Sequence, residues 1–237
     1  IFIKVALGAF PPLTLVTLRL GIAVAVLIAW LSATGRLPRF TRAQVTALAA
    51  MGLLNNAIPF SLIAWGQTEL SAGLASIFNA TAPLFSIVVA HLWTSDDKIT
   101  PSRLVALLVG FTGVIVLMGG ESLLGIGGNL WAECAVLAAA VFYAISGVFG
   151  RRLARLGVAP AAAATGQFTV SFLLLAPLAL VLDRPWNLAT PDALATGSLV
   201  FLAVLNTALA YLIYFKVLAR SGATNVLLVT LLAPVSA

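Results

Sequence analysis

The chain has 237 residues, 62% of them hydrophobic and only 8% charged, with apolar runs of bilayer-spanning length throughout, which marks a polytopic helical membrane protein. Its net charge of +6 does not argue for nucleic acid, because the basic residues lie in short connectors between apolar runs, where membrane topology places them. One cysteine, Cys134, excludes a disulfide framework and a Cys-based metal site; no cofactor, metal or cleavable signal is expected.

In chain order, the tail of one helix (residues 1–8) precedes eight apolar segments, at 11–34, 43–66, 72–94, 102–119, 129–150, 159–182, 193–218 and 222–237. The segment at 11–34 carries Arg19 about eight residues, or ~12 Å of helix, from its start. A charge at that depth either meets a substrate carboxylate or bonds carbonyls freed by helix breaks. The next segment contains N-N-A-I-P-F, residues 55–60. Pro59 has no N–H and crowds the carbonyl of Asn55, so two carboxamides and a broken ladder sit at membrane depth, which is costly unless they line something. Asn55 and Asn56 are therefore candidate cavity residues, the alternative being interhelical bonds worth about 0.6 kcal/mol each.

At 72–94 the device repeats, with Pro83 freeing the carbonyl of Asn79. Ser76, Asn79, Pro83 and Ser86 fall on one helical face. Farther on, Glu133 sits a turn inside its segment as a coupling acid or, better, a solvated residue at the cavity mouth, and Tyr143 lies deeper. Gln167 occupies the place in 159–182 that Arg19 holds in 11–34. Asn206 is near mid-span in 193–218, where Thr207, Tyr211 and Tyr214 share a face; Tyr143 and Tyr211 are candidate substrate contacts through ring and hydroxyl. Pro234 frees the carbonyl of Thr230. Trp30, Trp65, Trp93 and Trp131 near span ends, and Trp186 in a connector, read as interface anchors.

Three matches recur at nearly constant offset: residues 11–19 with 159–167, 56–63 with 206–213, and 72–83 with 223–234. They define a five-span unit, giving repeats at 1–119 and 120–237. An odd unit re-enters the membrane from the opposite side, so the halves are inverted, a signature of alternating-access carriers. The unit also implies missing ends and ten spans in the intact protein. Ten of the 13 basic residues fall in alternate connectors, which makes those connectors, and both termini, cytoplasmic.

G-A-F-P-P-L-T-L-V-T-L-R-L-G (8–21), S-A-G-L-A-S-I-F-N-A-T-A-P-L-F (71–85) and L-A-R-S-G-A-T-N-V-L-L-V-T-L-L-A-P-V (218–235) resemble the EamA-type transporters of the drug/metabolite transporter superfamily. The resemblance covers essentially the whole chain. It implies an all-α bundle of ten membrane helices that carries small metabolites, often outward, with amino-acid exporters among its branches. The expected setting is a bacterial plasma membrane, the partners a small-molecule substrate and the bilayer, and a monomer suffices.

Other functions fit the residues less well. A membrane hydrolase needs a nucleophile with a base, or a metal cluster, at matched depth; the single histidine, His91, has only Asp96 and Asp97 beside it in sequence. No ring of charges suggests a channel. A nucleotide-sugar carrier would call for several midplane cations, and Arg19 is alone. A drug or cation carrier of the same superfamily and a non-transporting scaffold remain as alternatives.

Overall fold

The computed structural model describes residues 1–94, 99–123, 126–214, 217, 220 and 221. Among the described residues, ten α-helices run in order: α1 (Phe2–Leu7), α2 (Pro12–Ala33), α3 (Arg42–Gly52), α4 (Ile58–Glu69), α5 (Ala72–Asn79), α6 (Ala82–Trp93), α7 (Pro101–Leu123), α8 (Leu130–Arg155), α9 (Pro160–Leu182) and α10 (Ala193–Ala203). A π turn at Leu53–Ala57 joins α3 to α4, and another at Val204–Leu209 continues α10. Six stretches among the described residues are long and apolar enough to cross a membrane: Pro12–Ala33, Arg42–Glu69, Ala72–Trp93, Leu130–Arg155, Pro160–Leu182 and Ala193–Tyr214. Within α7 only the shorter Pro101–Gly113 is comparably apolar. The segment expected at 222–237, with Thr230 and Pro234, lies outside the described residues.

Local chemistry sets the ends. Pro12 and Pro160 occupy the first turns of α2 and α9, where a missing N–H costs nothing and φ is already helical. Thr41 and Gln44 form a reciprocal capping box before α3, and Ser71, Asn129 and Asp192 cap α5, α8 and α10. Helix α8 runs to Arg155 instead of stopping near residue 150, because arginines in a last turn face the negative end of the helix dipole. Gly157, at φ +69°, then ends it, with Val158 N–H donating to Leu153 O and Gly157 N–H to Ala154 O.

Long-range bonds sort the connectors into two ends. At one, Lys4 Nζ donates to the carbonyls of Gln67 (2.7 Å), Thr68 and Leu70 at the C-terminus of α4. There too, Asp183, just past α9, accepts from Thr14 N (2.6 Å) and Thr14 Oγ1 (2.8 Å) at the start of α2. At the other, Gln44 Nε2 donates to Leu156 O (3.0 Å), joining the start of α3 to the end of α8, and Trp93 and Thr94 share a surface pocket with Arg151, Arg152 and Arg155. This second end also carries Arg36, Arg39 and Arg42 and is called the basic end below.

The core holds α2 against α9 and α4 against α8. Glycine permits the closest approaches: a Cβ on Gly52 would lie 2.8 Å from Gln167 O, and one on Gly66 would lie 2.6 Å from Val136 Cγ2. Val116, Val181, Leu182 and Leu173 point outward, as lipid-facing residues do. All five tryptophans are exposed.

Candidate functional site

A cavity of about 420 Å³ opens in the half of the bundle away from the basic end. Its walls come from the early turns of α2 (Leu15, Val16, Arg19), one face of α4 (Phe60, Ile63, Ala64, Gln67), α5 (Ala75, Ser76, Asn79), Tyr143 of α8, and Phe201, Leu202 and Asn206 at and beyond the end of α10. Ile1 and the first residues of α1, Phe2 and Ile3, complete it. Five expected residues therefore meet here: Arg19, Ser76, Asn79, Tyr143 and Asn206.

Arg19 is the one charged side chain in that lining. It is only 9% exposed, yet among the described residues it has no carboxylate partner. Its Nε donates to Thr207 Oγ1 (2.6 Å), and its Cζ lies 4.3 Å from the centroid of the Phe60 ring. The Thr207 hydroxyl gives its own proton to Leu202 O, 2.8 Å away and five residues back, which leaves a lone pair for the guanidinium. The π turn makes that bond possible by bringing residue 207 over the carbonyl of residue 202. The site thus presents a cation held along one edge, stacked on an aromatic face, with the remaining N–H donors unassigned.

Asn79 contributes an amide whose Oδ1 has no partner. It ends α5; Ala80 and Thr81 turn the chain, and Pro83 lies in the first turn of α6. The span is thus two helices end to end. At Pro59 the departure is gentler: the π turn precedes it, and the carbonyl of Asn55, which Pro59 cannot bond, accepts from Tyr211 OH at a long 3.4 Å.

Asn55, Asn56 and Tyr211, also expected as substrate contacts, lie elsewhere in this structure. None of them lines the cavity. Asn55 Nδ2 donates to Gln167 Oε1 (3.1 Å), and its Oδ1 accepts from Ser146 Oγ (2.9 Å), so its amide links three helices. Asn56 is fully buried and neither amide atom has a partner. Tyr211 packs edge-on against Phe168, centroids 4.7 Å apart, and against Phe60 at 6.4 Å. Tyr214 in turn packs on Tyr211, their ring centroids 5.4 Å apart. Glu133 is corrected as well: it is buried, not solvated, because its carboxylate accepts from Gly127 N–H and closes the turn before α8.

Sequence reasoning passed over Ser146, Phe60 and Gln67. Ser146 follows Tyr143 by three residues and so shares its face, a signal that was present. The Arg19–Phe60 stack joins residues 41 positions apart, which no local pattern announces.

The sequence profile of the EamA-like transporter family matches residues 1–119 and 130–237. The chain belongs to the EamA-like transporter family. A relative from Archaeoglobus fulgidus, named an uncharacterized transporter, is 24% identical over 98% of this chain and 80% of its own length. The Bacillus subtilis transporter YoaV, also uncharacterized, is 23% identical over 99% and 79%. A Streptantibioticus cattleyicolor protein named as a probable terminal-alkyne amino-acid exporter is 27% identical over 84% of this chain and 63% of its own. A solved crystal structure superposes with a TM-score of 0.77 at 23% identity, covering 97% of this chain and 79% of that one; the two share a fold.

Proposed function

We propose that this integral membrane transporter is an alternating-access carrier of small metabolites, amino acids foremost, and that the Arg19 cavity is where the substrate is held. One observation carries the reading: a buried guanidinium without a carboxylate, facing a cavity among amides, hydroxyls and aromatic rings. A cation left unpaired at membrane depth is costly, and a substrate carboxylate is the partner that would relieve it, by a charge-assisted bond. Ser76, Asn79, Tyr143 and Asn206 would then orient the rest of the molecule, and Phe60, Ile63, Phe201 and Leu202 would favour an apolar side chain. A nucleotide diphosphate would need more than one cation, and the lining offers none besides Arg19.

The basic end is read as cytoplasmic by the positive-inside rule, so the cavity faces outward, and in a bacterial plasma membrane both termini of the intact protein would be cytoplasmic. The two halves are read as inverted repeats at 1–119 and 120–237, ten helices in all, with a single chain as the transporting unit. Pseudo-symmetry supports this: the π turns contain Asn56 and Asn206, 150 positions apart. The test is flux into proteoliposomes of labelled amino acids and sugars, with and without a pH gradient. Amino-acid uptake that falls at least tenfold in Arg19→Gln is expected; sugar uptake alone, or none, would defeat the reading.

A further inference from the structure

The basic end holds a second concave site, whose lining shares no residue with the Arg19 cavity. This pocket, of about 390 Å³, lies where the spans Ala72–Trp93 and Leu130–Arg155 end side by side. Trp93 and Thr94 form one wall; Val148, Phe149, Arg151, Arg152 and Arg155, from the last turns of α8, form the other. Topology accounts for basic residues at this end, and the helix dipole for their place in a last turn. Neither accounts for three arginines meeting an indole in one recess.

Arg152 and Arg155 are exposed, and at three residues apart they are neighbours on the helix surface. Among the described residues neither has a carboxylate partner or a side-chain hydrogen bond. Their forks are not spent on capping α8 either, because the carbonyls of Arg152, Leu153 and Ala154 accept from the N–H groups of Leu156, Val158 and Gly157. Two like charges one turn apart repel. An oxyanion between them removes that repulsion, and the guanidinium fork matches phosphate oxygens in pairs. Asp96 and Asp97, two and three residues after Thr94 in sequence, lie outside the described residues; the three arginines and Lys98 outnumber them.

The surroundings say which phosphate. Trp93 is 63% exposed at the end of its span, at the headgroup level an amphipathic ring prefers. On the same helix Val88 and Leu92, one turn apart, are exposed as well, so apolar surface runs from the pocket along the span. A soluble phosphate has no use for that surface, whereas acyl chains do. We infer that the pocket seats the headgroup of an anionic phospholipid of the phosphatidylglycerol type. Its phosphate diester lies between Arg152 and Arg155 beside the Trp93 ring, and its chains follow Leu92 and Val88. Basic pockets between helices at the cytoplasmic surface suit such lipids. Bound there, the lipid ties the end of α6 to the end of α8, whatever the Arg19 cavity carries.

The test is native mass spectrometry of the full-length protein in detergent, titrated with dioleoyl phosphatidylglycerol and, for comparison, dioleoyl phosphatidylcholine. Each arginine lost should weaken the first phosphatidylglycerol site about fivefold, and Arg152→Gln with Arg155→Gln together about twenty-five-fold. Arg36→Gln with Arg39→Gln removes the same charge from the same end but outside the pocket, and should leave that site within about twofold. Lipid-free melting curves screen every variant, and the single substitutions carry the test if the double one misfolds. Equal losses in the two double variants, or equal retention of phosphatidylcholine, would reduce the effect to general attraction and overturn the inference. Displacement of the lipid by equimolar inorganic phosphate would assign the pocket to a soluble anion and overturn it too. So would an Arg152/Arg155 variant that melts lower yet keeps wild-type lipid affinity, since the arginines would then serve Asp96 and Asp97.

Discussion

Replacing Asn55 with leucine should damage the fold and spare the chemistry, whereas the same change at Asn206 should do the reverse. Asn55 makes two side-chain bonds, to Gln167 (3.1 Å) and Ser146 (2.9 Å), each worth about 0.6 kcal/mol in a membrane bundle. Ser146 keeps an acceptor in the carbonyl of Tyr143, 2.8 Å away, but Gln167 Oε1 is stranded beside an Nε2 that already has no partner, at a cost of about 1 kcal/mol. The sum is about 2 kcal/mol, a fall in Tm of about 4–8 °C for a chain this size. Asn206 makes no side-chain bond among the described residues and lines the cavity, so Asn206→Leu should leave Tm within about 2 °C and lower flux several-fold. The assay is a fluorescence thermal melt in detergent with flux per reconstituted molecule on the same preparations. An Asn55→Leu protein with unchanged Tm and abolished flux would refute the reasoning, since it would place that amide on the substrate path.

Gly52→Ala should destabilise by about 1–3 kcal/mol, because its Cβ would sit 2.8 Å from Gln167 O and 3.1 Å from Ser171 Oγ; a wild-type melting curve would contradict the α3–α9 contact. Asp183→Ala should cost about 1–2 kcal/mol by uncapping α2 at Thr14, read as a lowered Tm that Asp183→Asn largely restores. Thr207→Val should preserve folding while weakening substrate affinity, because Arg19 loses the bond that fixes its edge; an unchanged concentration dependence of flux would argue that Arg19 is held by Phe60 alone. Finally, Arg39→Cys and Arg152→Cys should label only from the cytoplasm and Glu121→Cys only from outside; labelling of Glu121→Cys from the cytoplasm would remove the inverted arrangement.

Span length, capping residues and prolines made the helices legible before any coordinates, and the Pro83 break follows from lost N–H donation alone. The sites were read less evenly. Asn55 and Asn56 are neighbours in sequence, and no pattern tells which one bonds Gln167 and which has nothing. Lipid is as apolar as leucine, so hydrophobic periodicity does not separate faces packed on protein from faces turned to the bilayer. Tyr143 and Tyr211 looked alike by depth, yet one lines the cavity and the other packs on Phe168 and Phe60. Glu133 was misjudged because its partner, the N–H of Gly127, is a backbone group in a turn.

The π turns have a consequence for ancestry. Each holds one residue more than an α-helix would, which rotates everything beyond it by about 100°. That phase slip lets the span Arg42–Glu69 serve two neighbours, α3 leaning on α9 and α4 on α8. Deleting a single residue from either turn would restore a regular helix and swing Phe60, or in the other copy Tyr211, away from its present contacts. A gap of one residue at this point in a relative should therefore be matched by substitutions on α8 or α9. Both stretches matched by the one family profile contain such a turn, Leu53–Ala57 in one and Val204–Leu209 in the other, so the same slip shapes a membrane span in each.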